Sequence, residues 1–301
     1  MSGMQDKVRA VLAGSDTPLG LAIKANCPLD VEMEAVRGDE FPPEDGDAIR
    51  EFVASYRPHV VINAAMPCDP ETVEEVNPEA LNAVAVAWAR AADNIRCRLI
   101  HPSSVTVFRA VGFRAREPRE LPDADTDFGK ALADIEAEVR RRMGDRGLVL
   151  RAGRLHAPQG DNRLTRDLAR LQEAKLDAAA PGPRSAPVSA WSLSEFIWQA
   201  SRIGRANGIM HWSDDGRVSP AEWLQEVRRL GIQYGVLKDV PEIETAATQP
   251  EHRAWQVLDL EATRRLMFLN PRPWQAALAD NIRRIQRASE KAYGKAEAGS
   301  A

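Results

Sequence analysis

Along the first half of the chain, short apolar runs alternate with longer segments whose apolar positions recur every three to four residues. Val8-Arg9-Ala10-Val11-Leu12-Ala13 is an apolar run ending at Gly14, the pattern of a buried first strand closed by a tight turn. Helical residues follow from about Pro18, where a first-turn proline gives up an N–H the helix does not need. Asp30 to Val36 reads as a second strand, and Asp47 to Tyr56 as a helix that stops before Arg57-Pro58. His59 to Ala65 is a strongly β-branched strand of the kind buried on both faces. Pro78–Asp93 is an alanine-rich helix, Arg98–Phe108 a strand, Thr126–Met143 a helix and Leu148–Arg151 a strand. Alternation of this kind, with few hairpin signals, predicts an α/β fold with a doubly wound, mainly parallel sheet.

Beyond residue 155 the regularity falls. Ala178-Ala179-Ala180-Pro181-Gly182-Pro183 is rich in helix and strand breakers. Helices are expected at Leu193–Ile203 and Pro220–Leu230, with a short strand, Gly208–Trp212, between them, and at Arg272–Ala292. The expected organisation is a Rossmann-type portion over 1–155 and a smaller lobe over 156–290, interleaved with the first. A small-residue tail, 291–301, is expected to be disordered. No internal repeat is visible.

Composition narrows the class. Of 301 residues 44% are hydrophobic and 28% charged, as in ordinary globular proteins, and no apolar run is long enough for a membrane span. Met1 to Lys7 carries no apolar region, so no secretion signal is expected. Cys27, Cys68 and Cys97 lack metal-ligand spacing and read as thiols of a reducing compartment, so a cytoplasmic protein without a metal is expected. A net charge of −4 gives no reason to expect nucleic acid as a partner. The basic run Arg140-Arg141-Arg142 is offset by Asp134, Glu136 and Glu138 on the same helix.

Candidate chemistry begins at Gly14-Ser15-Asp16-Thr17-Pro18-Leu19-Gly20, where a dinucleotide-binding fold sets its glycine-rich loop. Such a loop needs a backbone that approaches a pyrophosphate closely, with helix amides aimed at the anion. Gly14 and Gly20 hold the outer positions of a G-x-x-G-x-x-G pattern, but the middle glycine is Thr17, and Asp16 adds a negative charge. Two readings stay open: a cofactor loop, or a strand-to-helix turn whose glycines serve packing. Asp39 and Glu34 are candidates for the adenosine end, where an acid favours NAD; Arg37 argues for the 2′-phosphate of NADP.

These residues, taken in order, resemble the dTDP-4-dehydrorhamnose reductases, extended short-chain dehydrogenases that reduce a 4-keto-sugar nucleotide with NAD(P)H. The resemblance runs through Arg57–Ala65, Leu99–Phe108, Phe128–Glu136, Arg151–Ala157, Ser185–Val188 and Gly208–Trp212, nearly the full length. It implies that Asn63, Ala64 and Ala65 lie beside the cofactor with Gly14, Thr17, Gly20 and Asp39. Ser103 and Ser104 would lie at the nicotinamide and the substrate carbonyl. Arg184, Ala186 and Pro187 would lie near the sugar nucleotide.

Reduction of a ketone leaves an alkoxide that must be protonated, and enzymes of this class use a tyrosine with a lysine four residues later on the same helical face. Here that pair reads Phe128 and Leu132. The ring survives without its proton donor, and the cation is gone. Lys130 lies about 200° around the helix from Phe128 and does not replace it. Tyr56, Tyr234 and Tyr293 fall outside the matching helix, and His101, His156 and Asp127 are better read as packing or surface residues than as replacement acids. General acid–base groups are commonly worth about 10²–10⁴-fold in rate. Ser104 remains as a residual hydrogen-bond donor.

Three functions follow. The first is a non-catalytic protein that binds a nucleotide or sugar nucleotide or regulates a partner enzyme; the regulatory β subunit of methionine adenosyltransferase offers an analogy within the wider superfamily. The second is a divergent NAD(P)-dependent enzyme with a relocated proton donor. The third is an assembly subunit, in a homodimer or with a partner enzyme. Trp191, Trp198, Trp212 and Trp223 are candidates for a partner face, with core packing the stronger reading for most.

Overall fold

The computed structural model describes residues 7–41, 45–65, 77–173, 182–238, 240–243 and 254–298, with side chains to Lys291. Cys68, residues 178–181 of the breaker-rich stretch, the side chain of Tyr293 and residues 299–301 lie outside the described set.

The Rossmann-type half runs β1 (Val8–Ala13), α1 (Pro18–Ala25), β2 (Val31–Val36), α2 (Gly46–Tyr56), β3 (Val60–Asn63), α3 (Pro78–Asn94), β4 (Arg98–Ser104), α4 (Asp127–Met143) and β5 (Gly147–Ala152). The second half runs β6 (Arg154–His156), α5 (Arg163–Gln172), β7 (Arg184–Ser185), β8 (Pro187–Ser189), α6 (Ala190–Arg202), β9 (Gly208–Trp212), α7 (Pro220–Gln233), β10 (Trp255–Gln256), α8 (Glu261–Met267) and α9 (Trp274–Ala298). Six strands form one sheet in the order β2-β1-β3-β4-β5-β9, every pair parallel. β9, from the second half, completes the edge beside β5, so the two halves share one sheet.

Burial explains the layers. Alternate residues of the strands feed two cores: Leu12, Ile62 and Leu150 pack beneath α1 and α6. Val11, Val61 and Leu99 pack on the other face, beneath α2, α3 and α4. A third core joins α5, α7 and α9 around Trp223 and Leu278. Buried on both faces, the strands lose the alternation that marks a half-exposed strand.

Several boundaries differ from the sequence reading. The strand expected to reach Phe108 ends at Ser104, whose hydroxyl accepts from the Thr106 amide at 3.3 Å and turns Val105–Val107 into a short 3-10 segment. The strand expected over His59–Ala65 is confined to Val60–Asn63. α6 begins at Ala190, earlier than Leu193, because Ser189 caps it. α5 and α8 were not anticipated, although Leu164, Leu168 and Leu171 recur at helical spacing behind the capping pair Asn162 and Thr165. α9 continues to Ala298, past residue 291, where disorder was expected to begin.

Candidate functional site

The turn between β1 and α1 closes on itself. Gly14 has φ +71°, and a Cβ there would lie 2.4 Å from the Ala65 Cα at the end of β3; a Cβ on Gly20 would lie 1.9 Å from the Gly14 oxygen. Both positions therefore demand glycine for close packing, whatever they bind. Thr17 caps α1: its Oγ1 accepts from the Gly20 amide at 3.0 Å, and the hydroxyl points at the Gly14 and Ala64 carbonyls, 2.9 and 3.0 Å away. Pro18 has no N–H, the Thr17 amide binds the Gly14 oxygen and the Ser15 amide binds the Val36 oxygen. Of the turn's amides, those of Ser15, Thr17 and Gly20 are spent on the chain itself, and those of Asp16 and Leu19 are left for an anion.

The adenosine end is also occupied by the protein's own charges. Asp16 accepts from the Gly38 amide at 2.9 Å and lies 4.0 Å from Arg37, which is bonded at 3.0 Å to Asp39. The hydrogen bond from Arg37 holds the exposed Asp39 carboxyl below its usual range. Asn63, Ala64 and Ala65 sit against this turn. Asn63 is fully buried, with its Nδ2 3.4 Å from His101 Nδ1.

At the end of β4 the two serines are committed to structure. Ser103 donates to Glu136 at 2.6 Å, and Arg151 donates to the same carboxylate through Nε and Nη2 at 3.1 and 2.8 Å. The guanidinium groups of Arg151 and Arg116 each lie 4.7 Å from the buried Phe108 ring. Ser104 is wholly buried and spends its oxygen on the 105–107 turn. The Glu136–Arg151 pair was missed by sequence reasoning. Its signal was a charge on the apolar face of α4, opposite a charge within the apolar run of β5.

α4 presses on this floor through Gly129, where a Cβ would lie 2.3 Å from the Thr106 oxygen. Phe128 is half-buried against the core under α4, and Leu132 is 1% exposed within that core. Lys130 is exposed and pairs with Asp127 at 3.4 Å, as its position around the helix required. The other candidate donors are engaged elsewhere. The Tyr56 hydroxyl donates to the Glu32 oxygen, and the Tyr234 hydroxyl accepts from Arg283. His101 and His156 are buried, and burial drives their imidazoles down to about 4 and about 3, so both are neutral at physiological pH.

The second lobe carries the residues expected near a sugar nucleotide. Ala186 and Pro187 are buried and act through their backbones: the Arg154 amide binds the Ala186 oxygen, and the Asp214 amide binds the Pro187 oxygen. Arg184 alone of the three reaches a groove, of about 540 Å³, walled also by Arg217, Val218 and Trp274. Its guanidinium is bound by both oxygens of Glu222 at 2.8 and 2.6 Å. Arg217 lies 3.9 Å over the ring of Trp255. At the end of β9, Asp214 accepts from the Ser189 amide at 2.8 Å while its Oδ1 has no partner, and burial raises its carboxyl to about 7.

Among the described residues no group of His, Cys, Asp or Glu is placed to hold a metal ion, and no helix is long and apolar enough to cross a membrane.

Residues 8–287 match the sequence profile of the RmlD substrate binding domain. No curated protein shows significant sequence similarity to the chain. Among solved structures, the dTDP-4-dehydrorhamnose reductase of Bacillus anthracis in complex with NADP superposes with a TM-score of 0.76 at 17% identity, over 90% of this chain and 97% of that one. The dTDP-4-dehydrorhamnose reductase of Yersinia enterocolitica gives 0.74 at 19% identity, over 93% and 100%. The UDP-glucose 4-epimerase of Thermotoga maritima with UDP-glucose gives 0.75 at 12% identity, over 93% and 99%. At these identities the likeness is one of fold.

Proposed function

The chain belongs to the family of the RmlD substrate binding domain, and from that premise we propose that it is a non-catalytic member that binds a nucleotide or sugar nucleotide and acts as a regulatory protein. The observation that carries this reading is Leu132, 1% exposed inside an apolar core at the position where a reductase of this class needs a cation. Burying a charge there without a partner would be costly, so the site has been rebuilt as packing. Phe128 beside it keeps an aromatic ring and no proton.

The NADP-bound and UDP-glucose-bound relatives make a nucleotide the natural ligand class. In this chain the second-lobe groove suits that class better than the β1–α1 turn does. Arg217, stacked on Trp255, supplies a guanidinium for a phosphate in a groove whose carboxylates, Glu222 and Glu226, are already bonded to Arg184 and Arg229, whereas the turn sets the Asp16 carboxylate beside its unbonded Asp16 and Leu19 amides. Dinucleotide binding is accordingly weak in this reading, and no hydride-transfer step is derived. A partner enzyme or a second copy of the chain would receive the signal. Free Cys27 and the buried thiol Cys97, which burial pushes up to about 12, suit a reducing cytoplasm.

The test is calorimetric titration with NADH, NADPH and a dTDP-sugar, followed by NADPH oxidation with a dTDP-4-keto-sugar. Expected are dTDP-sugar binding that Arg217→Glu weakens by about tenfold or more, and no turnover. Brisk oxidation abolished by Ser104→Ala would reject the reading.

One observation favours a second reading, a divergent enzyme with a relocated acid. Asp214 keeps a proton close to neutral pH at the carboxyl edge of the sheet. Keto-sugar reduction lost in Asp214→Asn but not in Ser104→Ala would establish that alternative.

A further inference from the structure

On the outer side of α1 lies a cavity of about 470 Å³ that shares Pro18 with the β1–α1 turn and no residue with the groove at Arg217. Its wall on one side is the α1 face bearing Leu21 and Ala25; Pro158 and Trp191, at the start of α6, close its ends. α9 supplies the opposite side with Arg284, Arg287 and Lys291. These three sit at i, i+3 and i+7 on one helical face, spanning about 10 Å along the axis. Arg283, one residue round, is paired with Asp280 at 3.0 Å. By contrast, Arg284 has an aromatic partner, lying 3.8 Å over the Trp191 ring, whose own N–H is held by Glu195 at 2.9 Å. Among the described residues no carboxylate comes within ion-pair distance of Arg284, Arg287 or Lys291.

In a chain of net charge −4 with most of its arginines paired, three cations without acids over an apolar floor are a local departure. Like charges placed together repel, and an anion relieves that repulsion. The cavity is of small-molecule size, its floor is apolar, and its proline and indole surfaces are flat. We infer that this cavity binds a small organic polyanion with a flat apolar body: the charge seats on Arg284, Arg287 and Lys291, and the body rests between Leu21 and Trp191. This is a second site, separate from the groove at Arg217, and it stands whether or not that groove binds a sugar nucleotide.

The probe is ADP, titrated into the full chain by calorimetry, with inorganic pyrophosphate as the same charge without a body. ADP is expected to bind in the micromolar range and pyrophosphate about tenfold more weakly or worse. Arg287→Glu/Lys291→Glu should weaken ADP by about tenfold or more, and Arg50→Glu, at an exposed position of α2 outside both cavities, should leave this binding unchanged. Circular dichroism and thermal melting verify that the variants fold; the exposed positions make that the expected result. Leu21→Asp, a change on the other wall, should reproduce the loss. Absence of ADP binding, equal affinity for pyrophosphate, or loss in Arg217→Glu with none in Arg287→Glu/Lys291→Glu would each overturn the inference.

Discussion

Arg151 of β5 and Glu136 of α4 form an ion pair whose side chains are 1% and 3% exposed, with Ser103 as the third member of the network. Where a reductase of this class presents a catalytic serine and a charged helix face to its substrate, this chain directs its polar groups at one another. Removing one member leaves the other as a buried, uncompensated charge, which commonly costs about 3–5 kcal/mol. Arg151→Met and Glu136→Leu should each destabilise by that amount in urea unfolding. The double variant should cost less than the sum of the two, and strict additivity would show that the pair is not coupled.

Leu132→Lys tests whether the family's cation still has a place. Its side chain is 1% exposed and belongs to the same buried core as Val105, Val107, Ile135 and Val139, so the ammonium would enter an apolar core. We expect a loss of about 3–5 kcal/mol at pH 7. Phe128→Tyr, at a half-buried position, should cost about 1 kcal/mol or less. An unchanged melting temperature for Leu132→Lys would mean that a cation still finds an open place there.

Thr17 combines a helix cap with a blocked anion site. Thr17→Ala removes the cap and should cost about 1 kcal/mol, whereas Thr17→Gly should cost a few tenths. Thr17→Gly also frees the Gly20 amide, so NADPH affinity by fluorescence titration should rise several-fold. A fall in affinity would show that the threonine hydroxyl serves the cofactor.

The pH dependence of stability follows from four buried groups. His101, His156 and His211 titrate at about 4, about 3 and about 3 in the folded chain against 6.5 unfolded, so the unfolded chain takes up their protons first. Each therefore lowers stability as pH falls below 6.5. Asp214 has the opposite sign: raised from 3.8 to about 7, it holds in the folded chain a proton that the unfolded chain has released. Its contribution is lost as pH rises from 3.8 to 7. The net difference between pH 6.5 and 4 is two protons, giving a loss of about 3 kcal/mol per unit of acidification. Asp214→Asn should steepen that acid limb and raise stability at pH 8 by up to about 4 kcal/mol. Chemical denaturation at several pH values reads both effects, and a flat profile would contradict them.

The sequence by itself determined the layered parallel sheet. Apolar runs such as Val60–Asn63 and Gly208–Trp212 can only be buried on both faces, and the intervening helical periodicities dictate what covers them. It also determined that Phe128 and Leu132, which the resemblance sets against a reductase's tyrosine and lysine, carry neither a phenol nor a cation, since identity is a local fact, as is the outward course of Lys130. Tertiary structure alone decided what the surviving polar residues do. Ser103 and Thr17 could each have faced a ligand; partners 33 and 47 residues away in the chain took their hydroxyl groups instead. The cation row of α9 acquires its meaning only from α1 and Trp191 across the cavity. A side chain's type sets what bonds it can make, and the packing of distant segments sets which partner arrives first.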